Sequence, residues 1–140
     1  MNKKGFSLIE MLIVVAIIGI LAVIGIPAYL GQQKGATRTE AYTNLQNLRL
    51  LEEQYYADNG CYYMTGGACT NATISGATNI TAFLPRFQPG SGAQFTYTIV
   101  TNSSGTGGGA ASFFIATASG SGRRVTGDSF TIDCNNNRNF

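Results

Sequence analysis

An uninterrupted apolar run near the N-terminus constrains this chain more than any other feature. Every residue from 11 to 26 is apolar or glycine, and extending the run back to Phe6 adds only two polar residues, Ser7 and Glu10. Those 21 residues would span about 31 Å as a helix, which is close to the thickness of the hydrocarbon layer of a bilayer. The run therefore predicts a helix that must be surrounded by lipid or by other apolar helices.

The basic residues around this run predict its orientation. Lys3 and Lys4 precede it, and the next basic residue along the chain is Lys34. By the positive-inside rule, the short N-terminus is expected in the cytoplasm and the rest of the chain on the far side of the membrane. A cleaved signal peptide has an apolar stretch of only about 7–15 residues, so a membrane anchor explains the length better.

A membrane anchor alone does not explain Glu10. A carboxylate in the middle of a bilayer costs about 2.5–3.5 kcal/mol, and less near the interface. Two charges that are each costly in an apolar setting become tolerable when they are paired. Glu10 is therefore expected to have a functional role and a positively charged partner.

The residues around Glu10 resemble the N-terminal signal of type IV prepilins. That motif is a short basic leader, then Gly, Phe or Met, Ser or Thr, Leu, an aliphatic residue and Glu, and this chain reads KKGFSLIE from Lys3 to Glu10. The resemblance implies that a prepilin peptidase cuts between Gly5 and Phe6, removing residues 1–5, and N-methylates Phe6. It also implies that the Glu10 carboxylate binds the N-terminal ammonium of a neighbouring subunit. Because Phe6 and Glu10 are four residues apart in one helix, pairing within a subunit stays open.

Beyond Pro27 the helical pattern becomes amphipathic. One stripe is formed by apolar residues at spacings of 4, 3, 3 and 4, which is typical of a half-buried helix: Ala41, Leu45, Leu48, Leu51 and Tyr55. Gly60 suits the left-handed conformation that ends a helix. We therefore expect one long helix that ends near Asp58.

The middle of this helix contains three weak points, Gly19, Gly25 and Pro27. Proline lacks the backbone donor and clashes with the preceding turn, although glycine and proline are also common in membrane helices. In assembled pili of the resembled family the helix unwinds in this region. The resemblance therefore implies extended backbone between Gly19 and Pro27 in a filament.

The C-terminal half contains three runs with the alternation of β-strands, at residues 95–99, 113–118 and 130–134. The second run is apolar at nearly every position, which favours a central strand. We expect an antiparallel sheet of three or four strands, packed on the helical stripe and buried on both faces. The predicted fold class is α+β, the architecture of pilins, with a long N-terminal helix and a small sheet.

These patterns divide the chain into five expected segments. They are a leader (1–5), the hydrophobic membrane or filament-core half of the helix (6–27), its amphipathic half (28–58), a helix-to-sheet loop region (59–94), and the sheet with its C-terminal tail (95–140).

The three cysteines, Cys61, Cys69 and Cys134, allow three single disulfides, which persist outside the cytoplasm. Cys61–Cys69 is local and is the pairing that we favour. Cys134 shares a strand face with Phe130 and Ile132, so it should point inward, either as a free thiol or bonded to an earlier cysteine. Many members of the resembled family bridge a cysteine near the C-terminus to an earlier one, so the alternatives stay open.

The composition excludes several classes of site. The absence of histidine rules out a His-containing zinc site and a Ser-His-Asp hydrolase. No glycine-rich phosphate-binding motif occurs, and a net charge of +2 is too small to indicate nucleic-acid binding by bulk electrostatics. We expect no enzyme, no catalytic residue, no cofactor and no metal.

The resemblance implies a structural subunit of a type IV pilus. The precursor would wait in the inner membrane for prepilin peptidase and the pilus assembly machinery, and would then form an extracellular homopolymer. Such a filament, or fimbrium, would serve adhesion, twitching motility or DNA uptake, by contact with a host surface or with DNA.

Three other functions stay open. A pseudopilin of type II secretion shares the leader and the helix, but major pseudopilins tend to have an acidic calcium loop near the C-terminus. Here that region carries only Asp128 and Asp133. A minor pilin is a second alternative, and a membrane-tethered extracytoplasmic binding module that never polymerises is the third.

Overall fold

A computed structural model describes residues 5–90, 92–102 and 109–140. Lys3 and Lys4 of the expected leader lie outside the described residues. The elements in chain order are α1 (Leu8–Asn59), β1 (Met64–Thr65), β2 (Ala68–Cys69), β3 (Ala72–Ser75), α2 (Ala77–Phe83), β4 (Phe95–Asn102), β5 (Phe113–Gly120) and β6 (Ser129–Asp133). A long N-terminal helix followed by a small antiparallel sheet confirms the predicted α+β class. The chain divides into two compact units, Met1–Ala36 and Thr37–Phe140, and we call the second unit the head.

The first unit consists of the N-terminal part of α1. All but one of the residues from 5 to 32 are exposed, Ala22 being half-buried. The helix is continuous through Pro27. Unwinding between Gly19 and Pro27 was expected for an assembled filament, so for that state it stays a prediction.

The core of the head begins on α1. Ala41, Leu45 and Leu48 are fully buried, and Leu51 and Tyr55 pack partly buried against the same core, so the predicted stripe is confirmed. The helix ends where the sequence predicted, because Gly60 adopts a positive φ of 78° that residues with a side chain rarely adopt.

The four-stranded sheet of the head is antiparallel with the order β3-β4-β5-β6. The three strands predicted from alternation are β4, β5 and β6, and β5 lies inside the sheet as expected. In β4 the alternate residues Phe95, Tyr97 and Ile99 are buried. The expectation that both sheet faces are buried was wrong, because Ile115 on β5 is 36% exposed while its neighbours Phe114 and Ala116 are fully buried. The face opposite the core is exposed or half-buried.

The segment from 59 to 94 is more structured than the loop region that we expected. It contains the hairpin of β1 and β2, strand β3 and the short helix α2. These elements have two to seven residues, too few to display a period in the sequence. They depend on tertiary pairing, as when the backbone amide of Ala72 in β3 donates to Thr101 Oγ1 of β4 at 2.9 Å.

The C-terminal part of the head is attached to α1 by an ion pair and by aromatic contacts. Arg38 Nε and Nη2 donate to the two carboxylate oxygens of Asp128 at 2.8 and 2.7 Å. The ring of Tyr42 stacks on Phe140 with centroids 4.5 Å apart and meets the edge of Phe130 at 4.7 Å. The loop after β5 and the C-terminal tail therefore both pack on the helix.

Candidate assembly site

The start of α1 is shaped by Ser7 and Glu10. Ser7 immediately precedes the helix, and its backbone amide donates to Glu10 Oε2 at 2.7 Å. The carbonyl of Ser7 in turn accepts from the backbone amides of Glu10 and Met11 at 3.1 and 3.3 Å. This is the acidic half of a capping box, in which a Glu three residues after the cap satisfies the cap's own amide. The carboxylate also lies at the positive end of the helix dipole.

Sequence reasoning did not predict this capping role of Glu10. The signal was present, because Ser-x-x-Glu at residues 7–10 before an apolar run is the spacing of a capping box. Within a single chain, the carboxylate therefore already has a hydrogen-bond donor.

Gly5 and Phe6, the residues of the expected cleavage site, precede the first residue of α1 and are not helical. Phe6 is 81% exposed. No atom lies within 4 Å of the place that a Cβ on Gly5 would occupy. The bond between them is therefore exposed in the described structure.

The apolar surface of the first unit is continuous and unburied. Its large hydrophobic side chains from Phe6 to Ile26 are all at least 46% exposed, and α1 contains a stretch long and apolar enough to cross a membrane, none of it buried. Soluble proteins rarely expose an apolar patch of this extent, which marks a surface that contacts lipid or another protein. Gly19 and Gly25 leave open space on this surface.

The structure joins Cys61 to Cys69 in a disulfide, which confirms the favoured pairing. The bridge links the residue after Gly60 to the end of β2. Cys134 is a free thiol that packs half-buried against the hydrophobic core, as its strand face predicted.

A second acid on α1, Glu52, was not among the residues that the sequence pattern singled out. Its side chain is fully buried, four residues after Leu48 on the same face. Burial, with a smaller contribution from the neighbouring Glu53, raises the pKa of Glu52 to about 8. The spacing could have revealed it, because positions 41, 45, 48 and 52 continue one stripe.

The acids near the C-terminus are occupied by contacts within the head. Asp128 binds Arg38, and the Asp133 carboxylate accepts from the backbone and side-chain amides of Asn137, both at 2.8 Å. Among the residues that the structure describes, no group of three or more His, Cys, Asp or Glu side chains could hold a metal ion.

The site thus consists of an exposed apolar helix that begins at an acid-capped turn and is followed in the chain by a disulfide-bonded α+β head. Residues 1–26 match the family model described as the prokaryotic N-terminal methylation motif. The chain is also similar to the type IV major pilin protein PilA of Myxococcus xanthus, with 44% identity over 61 residues, which are 44% of this chain and 28% of that protein.

Two further relatives extend this comparison. The type IV wide pilus major component PilA4 of Thermus thermophilus is 46% identical over 61 residues, covering 44% of this chain and 47% of that protein. The type II secretion system core protein G of Pectobacterium carotovorum is 32% identical over 64 residues, covering 46% of this chain and 41% of that protein. The chain spans less than half the length of each of these relatives, and no solved structure matches it. The motif and the pilin relatives support the resemblance to type IV pilins.

Proposed function

We propose that this chain is a structural subunit of a type IV pilus and that its N-terminal helix forms the filament core. The observation that carries the proposal is the continuous apolar surface from Phe6 to Ile26, whose large side chains are at least 46% exposed and which carries one acid, Glu10. The proposed role is structural, so no catalytic residue is assigned.

In this proposal, prepilin peptidase removes residues 1–5 and methylates the new amino group on Phe6. The exposed bond between Gly5 and Phe6 supports this step. The precursor is held in the inner membrane by its helix, with the head outside the cytoplasm. The assembly machinery then transfers it to an extracellular fimbrium that acts in adhesion, twitching motility or DNA uptake.

Glu10 has two successive partners in the proposed mechanism. Before assembly its carboxylate accepts from the Ser7 amide, which offsets part of the cost of an acid in an apolar surface. When a subunit docks, the carboxylate binds the methylated ammonium of Phe6 on a neighbouring copy. The ammonium adds a full positive charge that the neutral Ser7 amide lacks, so its attraction to the carboxylate is stronger, and the exchange favours the docked register.

The experiment is to replace Glu10 with Ala in the full chain and to shear filaments from the cell surface. We expect the variant to remain membrane-anchored, to start at methylated Phe6 by mass spectrometry, and to yield no filaments. Glu40→Ala is the matched control, because Glu40 is an exposed acid on the same helix outside the apolar run, and it should leave filament yield unchanged.

Two outcomes would contradict the proposal. Wild-type protein that keeps residues 1–5 and is never recovered in a polymer would favour a membrane-tethered binding module. Filaments formed at normal yield by Glu10→Ala would remove the role assigned to the carboxylate.

The second candidate is a pseudopilin of type II secretion, favoured by the similarity to core protein G. Against it, the two acids of the C-terminal region contact Arg38 and Asn137, and the described residues contain no cluster of three or more His, Cys, Asp or Glu side chains for a metal ion. Recovery of the protein from long surface filaments as their main component would distinguish a major pilin from a pseudopilin or a minor pilin.

A further inference from the structure

The most unusual side chain in the head is Glu52. It continues the apolar stripe of α1 and is completely removed from solvent. Within the described part of the chain, neither of its carboxylate oxygens has a hydrogen-bond partner. Buried polar groups in proteins are almost always hydrogen-bonded, and an ionised carboxylate without a partner is especially costly. This position therefore cannot hold a charge without a change in the surrounding packing.

The ionisable groups on the same helix do not compensate this charge. Glu53 is adjacent and of the same sign, and it accepts at 3.3 Å from the hydroxyl of Tyr62. Arg49 lies three residues before Glu52, but its Nε is buried without a partner, and no ion pair joins the two among the described residues.

The sheet also provides no positive charge and no hydrogen-bond donor to the Glu52 carboxylate among the described residues. Strands β3 and β5 contain no ionisable side chain. On β4 the hydroxyl of Tyr97 accepts from Asn44 at 2.8 Å, and on β6 Asp133 binds Asn137. Among the described residues, neither the Cys134 thiol nor any tyrosine hydroxyl of the core donates to Glu52.

We propose that Glu52 is a protonation switch in the head. In its neutral form it allows the last turns of α1 to pack against the sheet, and in its ionised form it loosens that packing. This role is independent of the proposed filament function, because it depends only on contacts within the head.

The direction of the pH dependence follows from the two states of the carboxyl. Its pKa is 4.5 ordinarily and about 8 in the folded head, so between these values the folded head keeps a proton that the unfolded chain has released. The stability associated with neutral Glu52 is complete in acid, falls as the pH rises, and is lost once the pH passes the folded value. The chain contains no histidine, the residue that ordinarily titrates in this range. The pH dependence of stability caused by Glu52 can therefore be measured without a histidine contribution.

The test is urea unfolding of the full chain in detergent micelles, followed by tyrosine fluorescence, since the chain has no tryptophan. We expect the unfolding equilibrium constant of the wild-type head to rise about seventyfold between about pH 5 and about pH 7. In Glu52→Gln most of that rise should disappear. Glu53→Gln, a change to the partly exposed neighbour, should retain it.

A second measurement keeps the proposal testable if Glu52→Gln does not fold. Wild-type protein at neutral pH should show the infrared carbonyl band of a protonated carboxyl, and Glu52→Leu, which continues the apolar stripe, should lack the band and be more stable than wild type at neutral pH. The proposal is overturned if Glu52→Gln or Glu52→Leu keeps the full pH dependence, if Glu53→Gln abolishes it, or if the band is absent from the wild type.

Discussion

At Gly120 the packing of the head leaves no space for a side chain. It is the last residue of β5, and its backbone amide donates to the carbonyl of Asp128 at 2.8 Å. A Cβ added at Gly120 would collide with the carbonyl oxygen of Val125 and would lie 2.7 Å from the carbonyl carbon. Val125 is fully buried, so the loop of residues 121–128 can relieve the collision only by moving its backbone.

We therefore predict that Gly120→Ala destabilises the head by about 2–3 kcal/mol, the upper part of the range for inserting a group into packed structure. For a unit of this size, that loss corresponds to a fall in Tm of about 10 °C. The displacement would also move Asp128, which belongs to the same loop and forms an ion pair with Arg38 of α1. That ion pair should therefore weaken.

Gly122 provides a matched control in the same loop. A Cβ there would meet the side chain of Gln94, 2.6 Å from its Cδ, and a side chain can rotate away. The rotation breaks the hydrogen bond from Gln94 Nε2 to the Gly92 carbonyl, at a cost of about 1 kcal/mol. Thermal unfolding of both variants, followed by near-ultraviolet circular dichroism, measures the difference. Equal losses in the two variants, or an unchanged Tm in Gly120→Ala, would refute the reasoning from backbone contact.

Three further predictions concern the head. Leu48→Ala should lower the free energy of unfolding by about 2–5 kcal/mol because it leaves a cavity in the core, whereas Leu50→Ala, at a position 63% exposed, should change it little in the same denaturant titration. Asp128→Asn should lower Tm by removing the charge that binds Arg38, and the difference from wild type should shrink as salt is added. Cys61→Ser opens a disulfide between residues separated by 8 positions and should cost about 2–3 kcal/mol, a loss that a reducing agent should reproduce in the wild type.

The long helix and three of the strands could be predicted because their signals are local. The stripe from Ala41 to Tyr55 and the alternation in residues 95–99 each repeat several times, so chance matches are few. The inward position of Cys134 also followed from its strand face, whereas its free thiol was one of two alternatives that the sequence left open. In contrast, β3 and α2 have four and seven residues, and they form because β4 and the core are already in place. Such elements leave almost no periodic signal in a sequence.

Acids in apolar surroundings show a second limit of sequence reasoning. Glu10 was noticed because it interrupts a run of apolar residues, but its bond to Ser7 depends on where the helix begins. Glu52 was missed because its neighbours in sequence, Leu51 and Glu53, include another acid, and a pair of acids is usually a solvated face. The buried member of that pair is the one at the spacing that continues the stripe of Ala41, Leu45 and Leu48.

The two acids of α1, Glu10 and Glu52, lie in opposite surroundings. Glu10 lies on an exposed surface and accepts a hydrogen bond from the Ser7 amide, so its carboxylate is accessible to a partner. Glu52 lies in the packed core of the head, where its carboxylate has no hydrogen-bond donor among the described residues. It can therefore be accommodated only as a neutral acid. A rise in pH therefore acts on the head through Glu52, whereas the proposed assembly contact at Glu10 requires its charge. Between the ordinary carboxyl pKa of 4.5 and the raised value of about 8, the head progressively loses the stability that neutral Glu52 provides.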